Sequence, residues 1–326
     1  MADPGALLVT GGAGFVGSHF ARMAAEAGRD VVVLDDLSGG APARLPAGVE
    51  VVVGDIADRA LVRGILERRR VGAIAHFAGK IQVGESVRDP ALYFDVNVAR
   101  TLTLLELARD AGVRAWLFSS TAAVYGRPER VPIPESSPLA PVNPYGATKL
   151  SIELALDAWA GAYNLRWCAL RYFNAAGAHP DGTLRESHEP ETHVIPLAID
   201  AALGTRPAIQ VFGADYETPD GTCIRDYIHV QDLATAHLAA LARLEAGETL
   251  GPINLGTGRG YSVQEVIDTA ARVIGRPVPH TVVARRPGDP PRLIADPAAA
   301  MRALRWQPTC SELGAILEDA LRSRRG

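Results

Sequence analysis

Tyr145 and Lys149 stand four residues apart in Pro144-Tyr145-Gly146-Ala147-Thr148-Lys149, a spacing that puts them on one face of a helix, a single turn apart. Free tyrosine has a pKa of about 10, too high for a base at neutral pH, and neighbouring positive charge is the available way to lower it. One ammonium at ~6 Å and an effective dielectric of ~20 contributes ~3 kcal/mol, about two pKa units. That is not enough alone, so a second cation has to approach the phenol. Upstream, Ser119-Ser120-Thr121 follows the apolar run Trp116–Phe118, and the Thr121 hydroxyl is positioned to hold a reacting oxygen beside Tyr145. Of 33 basic residues only Lys80 and Lys149 are lysine. Coding bias explains the arginines, and both lysines fall in motifs. Standing alone, a Tyr-x-x-x-Lys would read as an exposed helix pair.

A second constellation opens the chain. The apolar run Leu7–Val9 leads into Thr10-Gly11-Gly12-Ala13-Gly14-Phe15-Val16-Gly17, a Gly-x-x-Gly-x-x-Gly loop entering a helix. Glycine there permits the tight turn, removes a side chain where backbone must approach a pyrophosphate, and lets helix and strand pack closely. The loop residues expected at the cofactor are Gly11, Gly14, Phe15, Val16 and Gly17. A ligand-free glycine turn is the plain alternative, but the next apolar run ends in Asp35. A carboxylate about 20 residues beyond the loop binds a ribose 2′-hydroxyl and repels a 2′-phosphate, which favours NAD over NADP. A helix cap is the other reading of Asp35. Asp36, Leu37 and Ser38 follow it and are expected at the same cofactor. Asp55-Ile56 and Phe77-Ala78-Gly79-Lys80 close the next two apolar runs, so both fall where open sheets bind ligands. An oxidised nicotinamide would supply the second cation that Tyr145 needs, coupling proton transfer to hydride transfer.

The elements that must position these groups alternate. Runs at Leu7–Val9, Val31–Leu34, Val49–Val53, Ala73–Phe77, Trp116–Phe118 and Cys168–Phe173 read as strands. Val16–Ala27, Ala60–Arg69, Leu92–Ala111 and Thr148–Tyr163 have helical spacing. Such alternation predicts an α/β fold, a doubly wound parallel sheet of Rossmann type covered on both faces. Residues 1–178 are expected to form the NAD-binding domain, which the chain re-enters at about 225–256. A smaller α/β substrate lobe takes 179–224 and 257–326.

Composition narrows the function class. No apolar run approaches the ~20 residues that cross a bilayer, and no export signal is visible, so a cytoplasmic location is expected. Three scattered cysteines suit a reducing compartment. A net charge of −4 gives no general attraction for nucleic acid or membranes, so a phosphate-bearing ligand must be met by local groups. The histidines show no metal spacing; His188 and His193 are five apart across a proline, and no metal is expected.

The chain resembles the extended short-chain dehydrogenase/reductase superfamily, and within it the UDP-glucose 4-epimerase family, along nearly its whole length. Besides the motifs above, the match includes His76-Phe77-Ala78-Gly79, Val83-Gly84-Glu85-Ser86, Ser119 through Gly126, Leu170-Arg171-Tyr172-Phe173-Asn174, Asp220-Gly221-Thr222 and Arg225 through Val230. The resemblance implies that Tyr145 takes the 4-hydroxyl proton of a UDP-sugar while NAD⁺ takes the C4 hydride. The bound 4-keto sugar then rotates and is reduced on its other face. It further implies Phe173 at the cofactor, Phe212 at uracil, Val211 at the substrate, Asn174 at the diphosphate, and Arg225, Arg286 and Asp289 at diphosphate and ribose. His193 and Val194 match a substrate-contacting pair. For Arg286, with Arg285 adjoining, a plain surface charge is the alternative. A homodimer through Leu92–Ala111 and Thr148–Tyr163 is implied on the same basis.

Some positions depart from the family pattern. Lys80 lies one place before the lysine of some relatives, and Val96 stands where some carry a cofactor-binding asparagine. Leu293 replaces a tyrosine of certain members, which should leave room beside C2 and admit N-acetylated sugars. Rival activities on the same fold are dehydration and decarboxylation. Ala122 and Ala123 speak against dehydration, because neither can exchange protons as the Asp-Glu of such relatives would. Epimerisation of a uronate or pentose stays open. A protein that merely senses NAD would not need Tyr145 with Lys149.

Overall fold

A computed structural model describes residues 5–188, 190–286 and 289–325. Its strands are β1 (Ala6–Thr10), β2 (Val31–Asp35), β3 (Glu50–Val53), β4 (Val71–His76), β5 (Ala115–Thr121), β6 (Arg166–Tyr172), β7 (Asn174–Ala176), β8 (Ile209–Phe212), β9 (Ile224–Arg225), β10 (Tyr227–His229), β11 (Gly251–Leu255), β12 (Tyr261–Ser262), β13 (His280–Val283) and β14 (Arg292–Leu293). The α-helices are α1 (Phe15–Glu26), α2 (Arg59–Arg68), α3 (Val83–Arg88), α4 (Pro90–Phe94), α5 (Arg100–Asp110), α6 (Pro144–Tyr163), α7 (Val194–Leu203), α8 (Val230–Glu245), α9 (Val263–Ile274), α10 (Ala298–Leu304) and α11 (Leu313–Arg325).

Seven strands form one parallel sheet in the order β11-β6-β5-β4-β1-β2-β3. Every residue of β1 and β2 is buried, as a sheet covered on both faces demands. Successive side chains point to opposite faces. Leu7 and Val9 pack with Phe20, Leu233 and Leu241 from α1 and α8, and Leu8 packs with Ile65, Leu104 and Ile152 from α2, α5 and α6. From β1 the chain passes to β2 and β3 on one side, then crosses to β4 on the other. The carboxyl ends of β1 and β4 therefore flank the switch point where such sheets bind ligands.

Within 225–256, β10 and α8 lead into β11, which joins the large sheet by pairing with β6. The smaller lobe has its own core, in which Ile195, Ile199, Val211, Val266, Ile316 and Leu317 meet. Ala300, Leu304 and Trp306, assigned by sequence to that lobe, instead join the core beneath α8. Two helices also depart from expectation. Leu92–Ala111 is broken into α4, a π-helical segment Asp95–Ala99 and α5. The helix expected from Thr148 starts four residues earlier at Pro144, because Asn143 caps it by accepting the Gly146 N–H at 2.9 Å and proline suits the first turn. Among the described residues no helix is long and apolar enough to cross a membrane.

Candidate active site

The glycine loop has the shape of an anion cradle. Gly11 has φ +69°, and a Cβ there would lie 2.4 Å from the Ala78 nitrogen, so β1 and β4 could not both keep their loops close. At Gly17 a Cβ would come within 2.3 Å of the Gly11 carbonyl, which fixes the approach of α1. Gly14 differs. It is the helix N-cap with φ −74°, and an added Cβ would meet only the Gly11 carbonyl oxygen at 3.3 Å. No side chain caps the helix and no acid lies in its first turn. The backbone N–H groups of Phe15, Val16 and Gly17 therefore begin a helix whose positive end has no acid of its own first turn to neutralise it, which suits a pyrophosphate. Phe15 and Val16 turn their side chains into the interior, leaving backbone for the anion.

Asp35 is 7% exposed and is no helix cap. One carboxylate oxygen accepts the Ala13 N–H and the other the Leu37 N–H, each at 2.9 Å. The carboxylate thus ties the glycine loop to the segment after β2, and each oxygen keeps a lone pair for a ribose hydroxyl. Leu37 sits at φ 61°, and Asp36 accepts the Ser38 N–H at 2.9 Å, so the turn Asp36-Leu37-Ser38 is held rigidly beside it. Asp55 accepts the Ala57 N–H at 2.8 Å and pairs with Arg100. The Ile56 side chain is in the core, as is that of Phe77, whose ring packs on Phe20 and His237. Any cofactor contact at these two is through backbone. The NAD expected from sequence fits the cradle and the carboxylate that the structure builds.

At the other side of the switch point, Tyr145 is brought to Thr121 by a glycine. A Cβ on Gly146 would lie 2.6 Å from the Ala123 carbonyl oxygen, so only glycine lets α6 approach the 3₁₀ turn Ala122–Tyr125 this closely. The Thr121 side chain lies close enough to the phenol to act on it. Burial raises the phenol's pKa, and the Thr121 hydroxyl pulls it back. Lys149 Nζ donates to the Ser119 carbonyl oxygen at 3.0 Å and lies 5.0 Å from the centre of the Phe118 ring. Burial brings Lys149 down to about 8, against an opposing pull from Glu153. Ser119 Oγ is hydrogen-bonded to the Tyr172 hydroxyl.

Two parts of the site escaped the sequence reading. Asn97, on the π-helical segment, accepts the Lys80 N–H at 2.7 Å and donates to the Lys80 carbonyl at 3.0 Å and to Thr148 Oγ1 at 3.1 Å. It joins the loop after β4 to α6. The sequence placed significance on Val96, one residue short. Beneath the site Glu153 accepts from Ser120 and from Nε and Nη2 of Arg171, whose Nη1 donates to the Tyr125 hydroxyl at 2.9 Å. Glu153 continues the face of Tyr145 and Lys149 by one more turn, a signal present in the sequence.

The residues assigned to the sugar nucleotide line the smaller lobe's side. Asn174 donates to the Asp226 carbonyl at 3.0 Å, and Arg225 is ion-paired with Asp289. Arg286 lies 3.9 Å from the centre of the Phe212 ring, whereas Arg285 is bound to Asp215 and covers Tyr216 at 4.2 Å. Arg286, though exposed, is stacked on an aromatic face. Val211 is buried in the lobe's core, with Val194 packed against that core at the start of α7; only their backbone is free to meet a ligand. Leu293 and Phe173 pack on Val124, Tyr125 and Ile133. His193 caps no helix N–H, and its ring turns toward Glu186 and Glu191. His188 joins it, with ring centroids 5.2 Å apart. The two histidines, five apart in sequence, thus share one cluster with Glu186 and Glu191. Burial pushes both imidazoles down, but the two carboxylates outweigh it and raise His188 to about 9 and His193 to about 10.

Residues 7–256 match the family model described as NAD dependent epimerase/dehydratase family. A Rhizobium meliloti protein named UDP-glucose 4-epimerase is 50% identical over 96% of this chain and 95% of its own. The crystal structure of UDP-glucose 4-epimerase from Brucella ovis in complex with NAD superposes with a TM-score of 0.95 at 48% identity, covering 97% of each chain. That of the UDP-Glc/GlcNAc 4-epimerase from Campylobacter jejuni gives 0.85 at 39% identity, covering 99% of this chain and all of that one. With the glycine cradle, Asp35 and the Tyr145–Thr121 pair in place at one switch point, the chain belongs to the NAD dependent epimerase/dehydratase family.

Proposed function

We infer that this chain inverts C4 of a UDP-sugar with NAD, interconverting UDP-glucose and UDP-galactose. The observation that carries the reading is the meeting of Tyr145 with Thr121 beside a helix N-terminus shaped for a pyrophosphate. Bound NAD supplies the chemistry of taking a hydride from C4 and returning it. The chain's residues do the rest. Tyr145 removes the proton from the sugar's 4-hydroxyl and later restores it, while Thr121 holds that oxygen in line. Lys149, fixed by the Ser119 carbonyl, keeps a positive charge under the phenol. Because burial raises the phenol's pKa in the protein alone, the base forms only with the cofactor's own charge nearby, which couples the two transfers.

Asn174, Arg225, Asp289 and Arg286 are assigned to diphosphate and ribose, since planar guanidinium donors match a dianionic diphosphate. Uracil takes the Phe212 face opposite Arg286, with Val211, His193 and Val194 contributing backbone contacts. The cofactor stays bound through turnover, held by Gly11, Gly14, Phe15, Val16, Gly17, Asp35 and the Asp55, Gly79, Lys80 and Phe173 edges. Two chains pair through α5 and α6, where Leu154 and Tyr163 are exposed apolar groups. Purified protein incubated with UDP-glucose should yield UDP-galactose by proton NMR; an unchanged spectrum refutes the assignment.

Leu293 supports a wider substrate range. It packs on the cluster of Ala122, Val124, Tyr125 and Ile133, with less bulk than a tyrosine beside the expected C2 position. UDP-N-acetylglucosamine should therefore also turn over, and its complete inertness alongside rapid UDP-glucose turnover would refute the Leu293 reading.

A further inference from the structure

The segment leading into α7 carries two Glu-x-His triplets, Glu186-Ser187-His188 and Glu191-Thr192-His193. In extended chain, residues two apart share a side, so each triplet presents a carboxylate and an imidazole together. Pro190 helps the chain turn between them, and the four side chains converge. One ligand atom from each lies within 4.8 Å of all the others. His193 Nδ1 is 2.7 Å from Glu186 Oε1 and 3.0 Å from Glu191 Oε1. His188 Nδ1 is 3.4 Å from Glu186 Oε1 and 3.7 Å from Glu191 Oε2. A tetrahedral zinc site with bonds of ~2.0–2.2 Å has ligand–ligand edges of about 3.4 Å, inside the range these separations span.

Two further observations mark the cluster as more than an ion-pair network. Among the described residues, His188 Nδ1 and Glu191 Oε2 are buried atoms without a hydrogen-bond partner, and both belong to residues of the cluster. Glu186 is 5% exposed, and the two imidazoles are its ion-pair partners. A buried carboxylate requires compensation, and a divalent cation with two carboxylates and two neutral imidazoles is neutral overall. Glu191 is also oriented from behind, as metal-bound carboxylates are: its Oε1 accepts the N–H groups of Thr192 at 2.8 Å and His193 at 2.9 Å.

We propose that Glu186, His188, Glu191 and His193 form a structural binding site for a divalent cation of the zinc type. Four protein ligands with mixed nitrogen and oxygen donors leave no open position, which suits a structural rather than catalytic ion. The site would link two functional regions. The His188 ring meets the edge of Phe15, the first residue of α1, at 6.4 Å, and the Ser187 carbonyl accepts from Arg44, which also reaches the Ala13 carbonyl. On its other side the cluster ends at His193 and Val194, where α7 begins. A bound cation would lock the entrance of α7 against the glycine loop.

The test uses the full chain with its cofactor, freed of metal by a chelator and then titrated with Zn²⁺ and with Co²⁺. One Zn²⁺ per chain by elemental analysis, a rise in the thermal midpoint with added Zn²⁺, and the intense visible bands of four-coordinate nitrogen/oxygen-bound Co²⁺ are expected. The double variant His188→Asn with Glu191→Gln should lose the bands and bind at least tenfold more weakly. Should that variant fold poorly, Glu186→Gln alone is to be measured, with the same loss expected. A wild-type chain that keeps its circular dichroism but binds no Zn²⁺ at 100-fold molar excess overturns the proposal. So does equal binding by the wild-type and variant proteins, which would place the ion elsewhere.

Discussion

Lys149 donates its ammonium proton to the carbonyl oxygen of Ser119 at 3.0 Å, and through that bond the last turn of β5 and the first turns of α6 are locked at the point where Tyr145 meets Thr121. The ammonium is 3% exposed, and Glu153, one turn further along α6, is committed to Arg171 and Ser120. The site is thus built to hold a charge that burial disfavours.

That conflict predicts a stability gain on removing the charge. Lys149 falls from 10.5 unfolded to about 8 folded, so folding releases its proton and stability rises with pH between those values. Below pH 8 the full cost applies, and above about 10.5 it is gone. Cofactor-free Lys149→Met should therefore be more stable than the parent at pH 7, by roughly 1–3 kcal/mol once the lost hydrogen bond is counted. The gain should vanish by about pH 10.5. Urea unfolding at both pH values measures it; equal stability at pH 7 would contradict it.

Tyr145→Phe removes the proton carrier without altering the packing of α6. Turnover should fall on the order of 10³-fold, within the range for losing a general acid–base group, while NAD stays bound. Coincident loss of the cofactor would show that the hydroxyl serves to hold NAD instead.

The two glycines of the loop should behave differently. Gly14→Ala adds a methyl near one atom only, in a backbone conformation alanine accepts, so the protein should fold normally and bind NAD at least tenfold more weakly. Gly17→Ala pushes a methyl onto the Gly11 carbonyl and should destabilise by about 1–3 kcal/mol, the usual cost of overpacking. Thermal unfolding and cofactor titration separate the two cases.

Asn97→Ala leaves both backbone polar groups of Lys80 without their partner in a partly buried setting. A loss of about 2–3 kcal/mol is expected, with weakened cofactor binding because Gly79 is held in the same loop. Denaturation of the variant with and without NAD measures both effects.

The larger fold was legible because its strands are short, apolar and β-branched and alternate with amphipathic helices, and the ends of the first six strands moved by at most a few residues. The glycine loop and Asp35 were readable because close backbone approach and a carboxylate at the second strand's end each leave a residue-level mark. What was hidden depends on contacts remote in sequence. Asn97 gains its role only because a π-turn rotates it toward Lys80, and hydrophobic periodicity carries no sign of that turn. The extended segment before α7 has no periodicity at all, so the convergence of His188 with His193 could be seen only in three dimensions. The Ser119 carbonyl as the partner of Lys149 is a backbone contact, which side-chain types do not encode.

The central claim is that hydrogen leaves and returns to one sugar carbon without passing through water. UDP-glucose carrying deuterium at C4, converted by the cofactor-loaded enzyme in ordinary water and followed by proton NMR, measures this directly. UDP-galactose with the deuterium retained at C4 is the predicted result. Galactose product that has exchanged its label for solvent hydrogen, or no C4-inverted product at all, would contradict it.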